Sequence, residues 1–154
     1  MQDHFQTLVK LRIRSRELLK GLDKEQLLEV PPGFRNNILW NIGHALITQQ
    51  NLTYGLSGHK PRVPLDLVER YRKGTGPQQV QAADIETIEK LLLETAFTLQ
   101  KDYESGHFTV FKSHRTSLDV ELGTIEAAIG FNNIHEALHY GYARAQMRAL
   151  APGV

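Results

Sequence analysis

The chain of 154 residues contains no cysteine. This absence excludes disulfides, zinc sites with cysteine ligands and cysteine nucleophiles. A domain of this size without disulfides suits a reducing compartment, so we expect a cytoplasmic protein. Any reaction that uses a thiol would need a thiol from another molecule.

Long apolar runs and clusters of one charge are also missing. No stretch approaches the roughly 18 uninterrupted apolar residues of a membrane-spanning helix, and the first residues lack the apolar segment of a signal peptide. The 18 Lys and Arg residues balance 17 Asp and Glu, with no basic run that would follow a phosphate backbone. We therefore expect neither a membrane nor a nucleic-acid partner.

What is present is a repeated helical pattern of apolar residues. The length and the 41% hydrophobic content fit one domain over residues 1–154. Asn36 and Asp84 are predicted to cap the second and third helices, and Pro152 and Gly153 close the chain after the fourth. Apolar residues recur with a helical period in four segments, at about residues 3–21, 36–56, 84–103 and 124–150.

The connections between these segments differ in length. A short helix is predicted in DKEQLLEV, before the Pro-Pro-Gly break at residues 31–33. Residues 57–83 form a long crossover that contains a second short helix, PLDLVERYRKG, with Pro64 near its start and Gly74 after its end. Short extended pieces are expected within residues 107–121. The pattern predicts an all-α fold, a four-helix bundle with a long crossover between helices 2 and 3.

Residues 135–139 read His-Glu-Ala-Leu-His, which matches the H-E-x-x-H signature of zinc metallopeptidases. In those enzymes a third ligand normally follows further along the chain. Here only YGYARAQMRALAPGV follows His139, and it contains no Asp, Glu or His. The protease interpretation is therefore disfavoured, and Glu136 is left near the flank of the helix without an assigned role.

The seven histidines divide into two groups. His135 and His139, four residues apart, lie on one face of the fourth helix and could share one metal ion. His44 lies in an apolar helix; taken alone it is better explained as a core histidine bonded to a carbonyl, but it could also supply a third imidazole. We expect the face that carries the pair to point into the bundle, together with Asn132, Leu138 and Tyr142. We assign no role to the remaining histidines: His4, His59, His107 and His114.

Three blocks of the sequence resemble a known family, the DinB-like superfamily, which includes YfiT-type metal-dependent hydrolases and bacterial thiol-dependent S-transferases. They are LDKEQLLEVPPGFRNNILWNIGHALITQQ, ERYRKGTGPQQ and FNNIHEALHYGYARAQMRAL, in the family's order. The resemblance implies an up-down-down-up four-helix bundle, a homodimer, and a divalent metal, zinc or nickel, held by His44, His135 and His139. One departure is Tyr142, where many members have Gln.

The resemblance also implies a chemistry. A three-histidine metal with an open position can activate water, or a low-molecular-weight thiol for attack on a small electrophile. Helix geometry offers Thr48, Asn132 and Tyr142 as residues lining the pocket, although each could equally be an ordinary polar residue of the bundle core. A non-enzymatic, metal-binding structural or stress-associated dimer is the alternative function.

Overall fold

The computed structural model describes residues 1–151, and its regular structure is almost entirely helical. None of the described helices is both long and apolar enough to cross a membrane. The predicted all-α four-helix bundle is confirmed, whereas Pro152 and Gly153 lie outside the described residues. The four long helices are α1 (Gln2–Lys20), α3 (Ile38–Gln50), α5 (Asp84–Glu104) and α6 (Ile125–Leu150), and the two short ones are α2 (Lys24–Leu28) and α4 (Leu65–Tyr71).

The long helices pack in the up-down-down-up arrangement. Phe5 contacts Tyr103 and Arg16 contacts Glu89, so α1 and α5 are antiparallel. His4 contacts Asn133 and Arg12 contacts Glu136, so α1 and α6 are parallel. Asn41 contacts Gln146 and His44 contacts His135, so α3 and α6 are antiparallel. Helices α1 and α6 therefore run one way, and α3 and α5 run the other. Because α3 and α5 are parallel, the chain between them must return along the full length of the bundle, which is what the predicted crossover does.

The crossover contains the predicted short helix, α4, which begins after Pro64 and is followed by Gly74 at a positive φ of 92°. An Arg70–Asp84 ion pair of 2.8 Å and a Tyr71 Oη–Asp84 hydrogen bond of 3.0 Å fasten α4 to the start of α5. Asp84 was predicted to cap α5. It is instead the first residue of the helix, with its carboxylate engaged by α4. The crossover is thereby fixed against the bundle.

The start of α3 also differs from the prediction by one residue. Asn37, rather than Asn36, is the N-cap, since its side chain accepts a hydrogen bond of 2.8 Å from the Trp40 amide. The carbonyl of Asn36 accepts a bond from the Gln146 side chain instead. Beyond α3 the predicted segment continues as one π-helical turn, Asn51–Gly55.

Residues 107–121 contain little regular structure, and the expected extended pieces are limited to two short strands. Strands β1 (His114–Arg115) and β2 (Glu121–Leu122) pair antiparallel. Asp119, in the turn between them, has a positive φ of 61°. This hairpin leads directly into α6, whose N-cap Thr124 lies at the predicted start of the fourth helix.

Helix α3 approaches the crossover closely at Gly43. A Cβ atom at this position would overlap Cδ1 of Tyr71, whose ring is fully buried. Only glycine leaves room for this ring, so the backbone of Tyr71 is held beside α3.

We expect Gly43→Ala to destabilise the protein by about 1–3 kcal/mol, because the buried Tyr71 ring must move. Urea unfolding followed by circular dichroism measures the change. Gly130→Ala is the matched control, since the nearest atom to a Cβ there is in the His4 ring, at an ordinary contact distance of 3.4 Å. Equal stability of the two variants would contradict the tight contact.

Candidate metal centre

Three histidines from two facing helices converge on one point of the bundle. His44 lies on α3, and His135 and His139 lie on α6. Their ring centroids are 4.4 to 5.3 Å apart, and one ring nitrogen of each lies within 4.8 Å of one from each of the others. Within residues 1–151 this is the one cluster of its kind among His, Asp and Glu side chains. The structure thus brings together all three residues predicted as metal ligands.

The ring of His44 is oriented by its neighbours. Its Nδ1 lies 2.7 Å from the carbonyl oxygen of Tyr71, and because a carbonyl only accepts, Nδ1 carries the proton. The Trp40 ring stacks on the imidazole at 4.5 Å with an interplanar angle of 7°. The expected bond to a carbonyl therefore exists, and it leaves Nε2 unprotonated, where it accepts a hydrogen bond of 3.3 Å from the Thr48 hydroxyl.

The ring of His139 is oriented in a similar way by a side chain. Its Nδ1 lies 2.9 Å from Oδ1 of Asn41. The amide nitrogen of Asn41 donates to the Asn37 carbonyl and to the Gln146 side chain, both at 3.0 Å, so its oxygen is the atom turned to His139. His139 therefore donates from Nδ1 and keeps Nε2 as an electron-pair donor.

Burial shifts the pKa of all three histidines downward, which favours the neutral form. Burial lowers the pKa of His44 below its usual range and outweighs the opposing effect of the Tyr71 carbonyl. Burial lowers the pKa of His135 to about 4 and that of His139 to about 3, and repulsion from the neighbouring imidazoles adds to both. Neutral imidazole is the form that binds metal ions.

This donor set fits a divalent metal ion. Zinc and nickel are bound by neutral imidazole nitrogens, and three such ligands leave a further position open. The Tyr71 carbonyl and Asn41 Oδ1 accept hydrogen bonds from His44 and His139. Metal-binding histidines usually have such an acceptor for the ring nitrogen that does not bind the metal. Nδ1 of His135, in contrast, is buried and without a hydrogen-bond partner among the described residues.

A cavity of about 410 Å³ opens beside the cluster and reaches His139. Arg35, at its mouth, forms no ion pair within residues 1–151, and no Asp or Glu lines the cavity. The cavity therefore carries one cationic side chain and no acidic one among its lining residues. Its walls are formed by Gly33, Phe34, Arg35, Asn36, Asn41, His139, Tyr142 and Gln146.

Glu136 is not near the flank of the helix, as its position in the motif suggested. Its side chain is 3% exposed and forms an ion pair with Arg12, which is completely buried. Arg12 Nη2 and Nε contact the carboxylate at 2.5 and 3.1 Å. The expectation for Glu136 was wrong because its position around α6 faces α1, across the centre of the bundle.

The ion pair is part of a buried polar network that touches all four long helices. Arg12 of α1 also donates to the Leu92 carbonyl and the Thr95 hydroxyl of α5, at 3.0 and 2.5 Å, and approaches Gln49 of α3 at 3.4 Å. Sequence reasoning missed Arg12. A signal exists, since Arg12 lies four residues after Leu8 on the apolar face of α1 and therefore points into the core.

The three predicted pocket residues have different environments. Thr48 contacts His44, and Asn132 is fully buried with its amide nitrogen 3.3 Å from Glu136. Tyr142 lies at the mouth of the cavity and is 59% exposed. Leu138 is 50% exposed, so the expectation that it and Tyr142 point into the bundle was wrong: α3 covers a narrower arc of α6 than the helical face we assigned.

The histidines without a predicted role lie away from this cluster. His59 and His107 stack on each other with ring centroids 4.1 Å apart, and His4 packs against Gly130. His114 lies in strand β1 and is exposed. None of these residues joins a group of three potential ligands within the described chain.

Comparison with known proteins gives a family match that covers most of the chain. A search of curated protein sequences returns no match to this chain. The sequence pattern of the DinB superfamily, in contrast, matches residues 7–143, which include all three clustered histidines and every long helix except the first residues of α1 and the last residues of α6. The chain belongs to the DinB superfamily.

Proposed function

We propose that the protein binds a divalent metal ion, zinc or nickel, through His44, His135 and His139. The observation that carries the proposal is the convergence of three neutral imidazole nitrogens within 4.8 Å of one another. The Tyr71 carbonyl and the Asn41 side chain support it, because they hold two of the rings in the tautomer that leaves Nε2 unprotonated.

We propose further that the site is catalytic and acts on a small molecule. When bound, the ion would supply Lewis-acid chemistry and lower the pKa of a water or a low-molecular-weight thiol at its open position. The chain has no cysteine, so a thiol must be a cosubstrate. The Thr48 hydroxyl, 3.3 Å from His44 Nε2, can hydrogen-bond the incoming group. Arg35 at the cavity mouth favours a substrate that carries a carboxylate or another anion.

The surroundings of Glu136 speak against peptide hydrolysis. In a metallopeptidase the glutamate between the two histidines acts as general base. Here both carboxylate oxygens accept hydrogen bonds from the buried Arg12 guanidinium, so the group is engaged in the core rather than free to activate water. The motif therefore supports a metal site without supporting a protease.

Metal analysis of the purified protein tests the site, and a turnover assay tests the reaction. We expect one zinc or nickel ion per chain, lost in His44→Ala and His139→Ala and kept in His59→Ala. Turnover is then measured with neutral thiols and with carboxylate-bearing thiols, each combined with an alkylating electrophile. It is also measured with a panel of simple esters. Metal retained in both ligand variants would refute the site. Turnover unchanged by a chelator would refute the metal-dependent reaction.

A non-enzymatic role is the second candidate, as a metal-binding structural or stress-associated dimer. The observation that favours it is the position of the histidine cluster, which would tie α3 to α6 directly beside the buried network of Arg12 and Glu136. In this case metal removal lowers the melting temperature while no thiol or ester is turned over. The same two assays therefore separate the two functions.

The homodimer remains a proposal, and one face of α6 supports it. Ile134, Leu138 and Tyr142 are 55%, 50% and 59% exposed, and they follow each other at intervals of four residues. An apolar depression lies on the same stretch of the surface. It is lined by Phe34, Ala137, Leu138, Gly141, Tyr142 and Ala145. We propose that a second copy of the chain covers this face.

We expect Leu138→Lys to shift the protein from dimer to monomer, because a dimer would bury the new charge against apolar residues. Analytical ultracentrifugation measures the mass. Phe97→Lys is the matched control, since Phe97 is 55% exposed on α5, away from this face. A wild-type chain that sediments as a monomer at all concentrations would exclude the dimer.

A further inference from the structure

The three clustered histidines differ in whether their Nδ1 atom has a hydrogen-bond partner. His44 donates from Nδ1 to the Tyr71 carbonyl at 2.7 Å, and His139 donates from Nδ1 to Asn41 Oδ1 at 2.9 Å. Nδ1 of His135 is buried and has no partner in the part of the chain that the structure describes. One member of an otherwise matched set therefore lacks an orienting acceptor.

An acceptor without a donor lies one turn earlier on the same helix. Oδ1 of Asn132 is buried and also has no partner among the described residues. The amide nitrogen of Asn132 is turned to Glu136 Oε1, at 3.3 Å. Because a carboxylate only accepts, this contact fixes which end of the amide faces Glu136 and leaves the oxygen free.

Glu136 is itself held in place, by the Arg12 guanidinium. Two nitrogens of Arg12 contact its carboxylate, and Arg12 is anchored in turn on the Leu92 carbonyl and the Thr95 hydroxyl of α5. Asn132 is completely buried, so its amide cannot turn freely toward solvent. The orientation of Asn132 is therefore set by its contact with the buried pair of Arg12 and Glu136.

The two unpartnered groups are complementary. Residues three apart on a helix are neighbours on its surface, and a buried donor and a buried acceptor left unpaired each destabilise the protein. A neutral histidine that binds a metal through Nε2 carries its proton on Nδ1, and an acceptor for that proton fixes the ring and raises its basicity.

We propose that Asn132 is a positioning residue for the metal centre: its Oδ1 accepts the Nδ1 proton of His135 and directs Nε2 of that ring to the metal. Arg12 and Glu136 hold the Asn132 amide in the orientation that makes this bond possible. The proposal rests on the proposed function, since it takes His135 as a metal ligand. It assigns to Glu136 a task that the metallopeptidase motif does not suggest.

Zinc affinity, measured by competition with a chromophoric chelator, tests the proposal. We expect Asn132→Leu to weaken zinc binding about 10- to 100-fold. Asn133→Leu is the matched control; it removes the neighbouring side chain, which is also buried but donates to the His4 carbonyl, and should change affinity less than about twofold.

Nuclear magnetic resonance of the zinc-loaded wild-type protein, labelled with ¹⁵N-histidine, gives a readout that needs no variant to fold. We expect His135 to bind through Nε2 and to show an Nδ1 proton protected from exchange with solvent. A His135 bound through Nδ1, or Asn132→Leu with wild-type affinity, would overturn the role of Asn132 while leaving the metal site intact. A wild-type protein that binds no zinc would refute the proposed function itself.

Discussion

Zinc should raise the melting temperature of the metal-depleted wild-type protein, and His139→Ala should abolish that rise. The three ligands come from α3 and α6, so the ion binds the folded chain and not the unfolded one. A ligand present at a thousand times its dissociation constant stabilises the folded state by about 4 kcal/mol. Differential scanning calorimetry, with and without added zinc, measures the shift.

His59→Ala is the control for this experiment, because it removes an imidazole outside the cluster. It should retain the full shift caused by zinc. A shift of the same size in His139→Ala would mean that zinc binds somewhere else. A wild-type protein whose melting temperature does not respond to zinc or nickel would argue against the centre.

Removal of the Glu136 carboxylate should have the largest effect on stability of any single substitution considered. In Glu136→Ala the Arg12 guanidinium, which is 0% exposed, would stay in the core without a counter-charge. Breaking a buried ion pair in this way costs about 3–5 kcal/mol. We expect a corresponding fall in the free energy of unfolding, measured with urea on metal-depleted protein.

The double variant Arg12→Met, Glu136→Leu shows whether the loss comes from the stranded charge. Replacing both partners by apolar residues of similar size should recover most of the stability, because no charge then stays buried. Glu89→Ala removes a carboxylate that pairs with Arg16 and Lys20 near the surface, and should cost less than about 1 kcal/mol. The loss of unfolding free energy in the double variant should be smaller than the sum of the losses in Arg12→Met and Glu136→Leu alone. A loss equal to that sum would contradict the argument.

The helices of this bundle could be predicted from the sequence because each has a strong local signal. Apolar residues with a helical period place α1, α5 and α6 within a few residues, and Pro64 and Gly74 bracket α4. His135 and His139 follow from their spacing on one helix. His44 lies 91 and 95 residues before these two histidines. Its place in the same site could be predicted only from the family resemblance or from the unusual position of a histidine in an apolar helix.

The rest depended on contacts between distant parts of the chain. Arg12 and Glu136 are separated by 124 residues, and no local pattern in α6 shows that Glu136 faces α1. The error at Leu138 and Tyr142 has the same origin, since helix geometry gives neighbours around α6 but not which arc its partners cover. Likewise, Asn36 and Asn37 are equally good caps until their hydrogen bonds are known.

The ion pair between Arg12 and Glu136 has a consequence for how the helices can slide along each other. A displacement of α6 by one helical turn, about 5.4 Å, would bring Asn132 or Tyr140 opposite Arg12 in place of a carboxylate. Neither side chain can neutralise a buried guanidinium, so both shifted packings are strongly disfavoured. The pair thus fixes the axial position of α6, which carries His135 and His139, relative to α1.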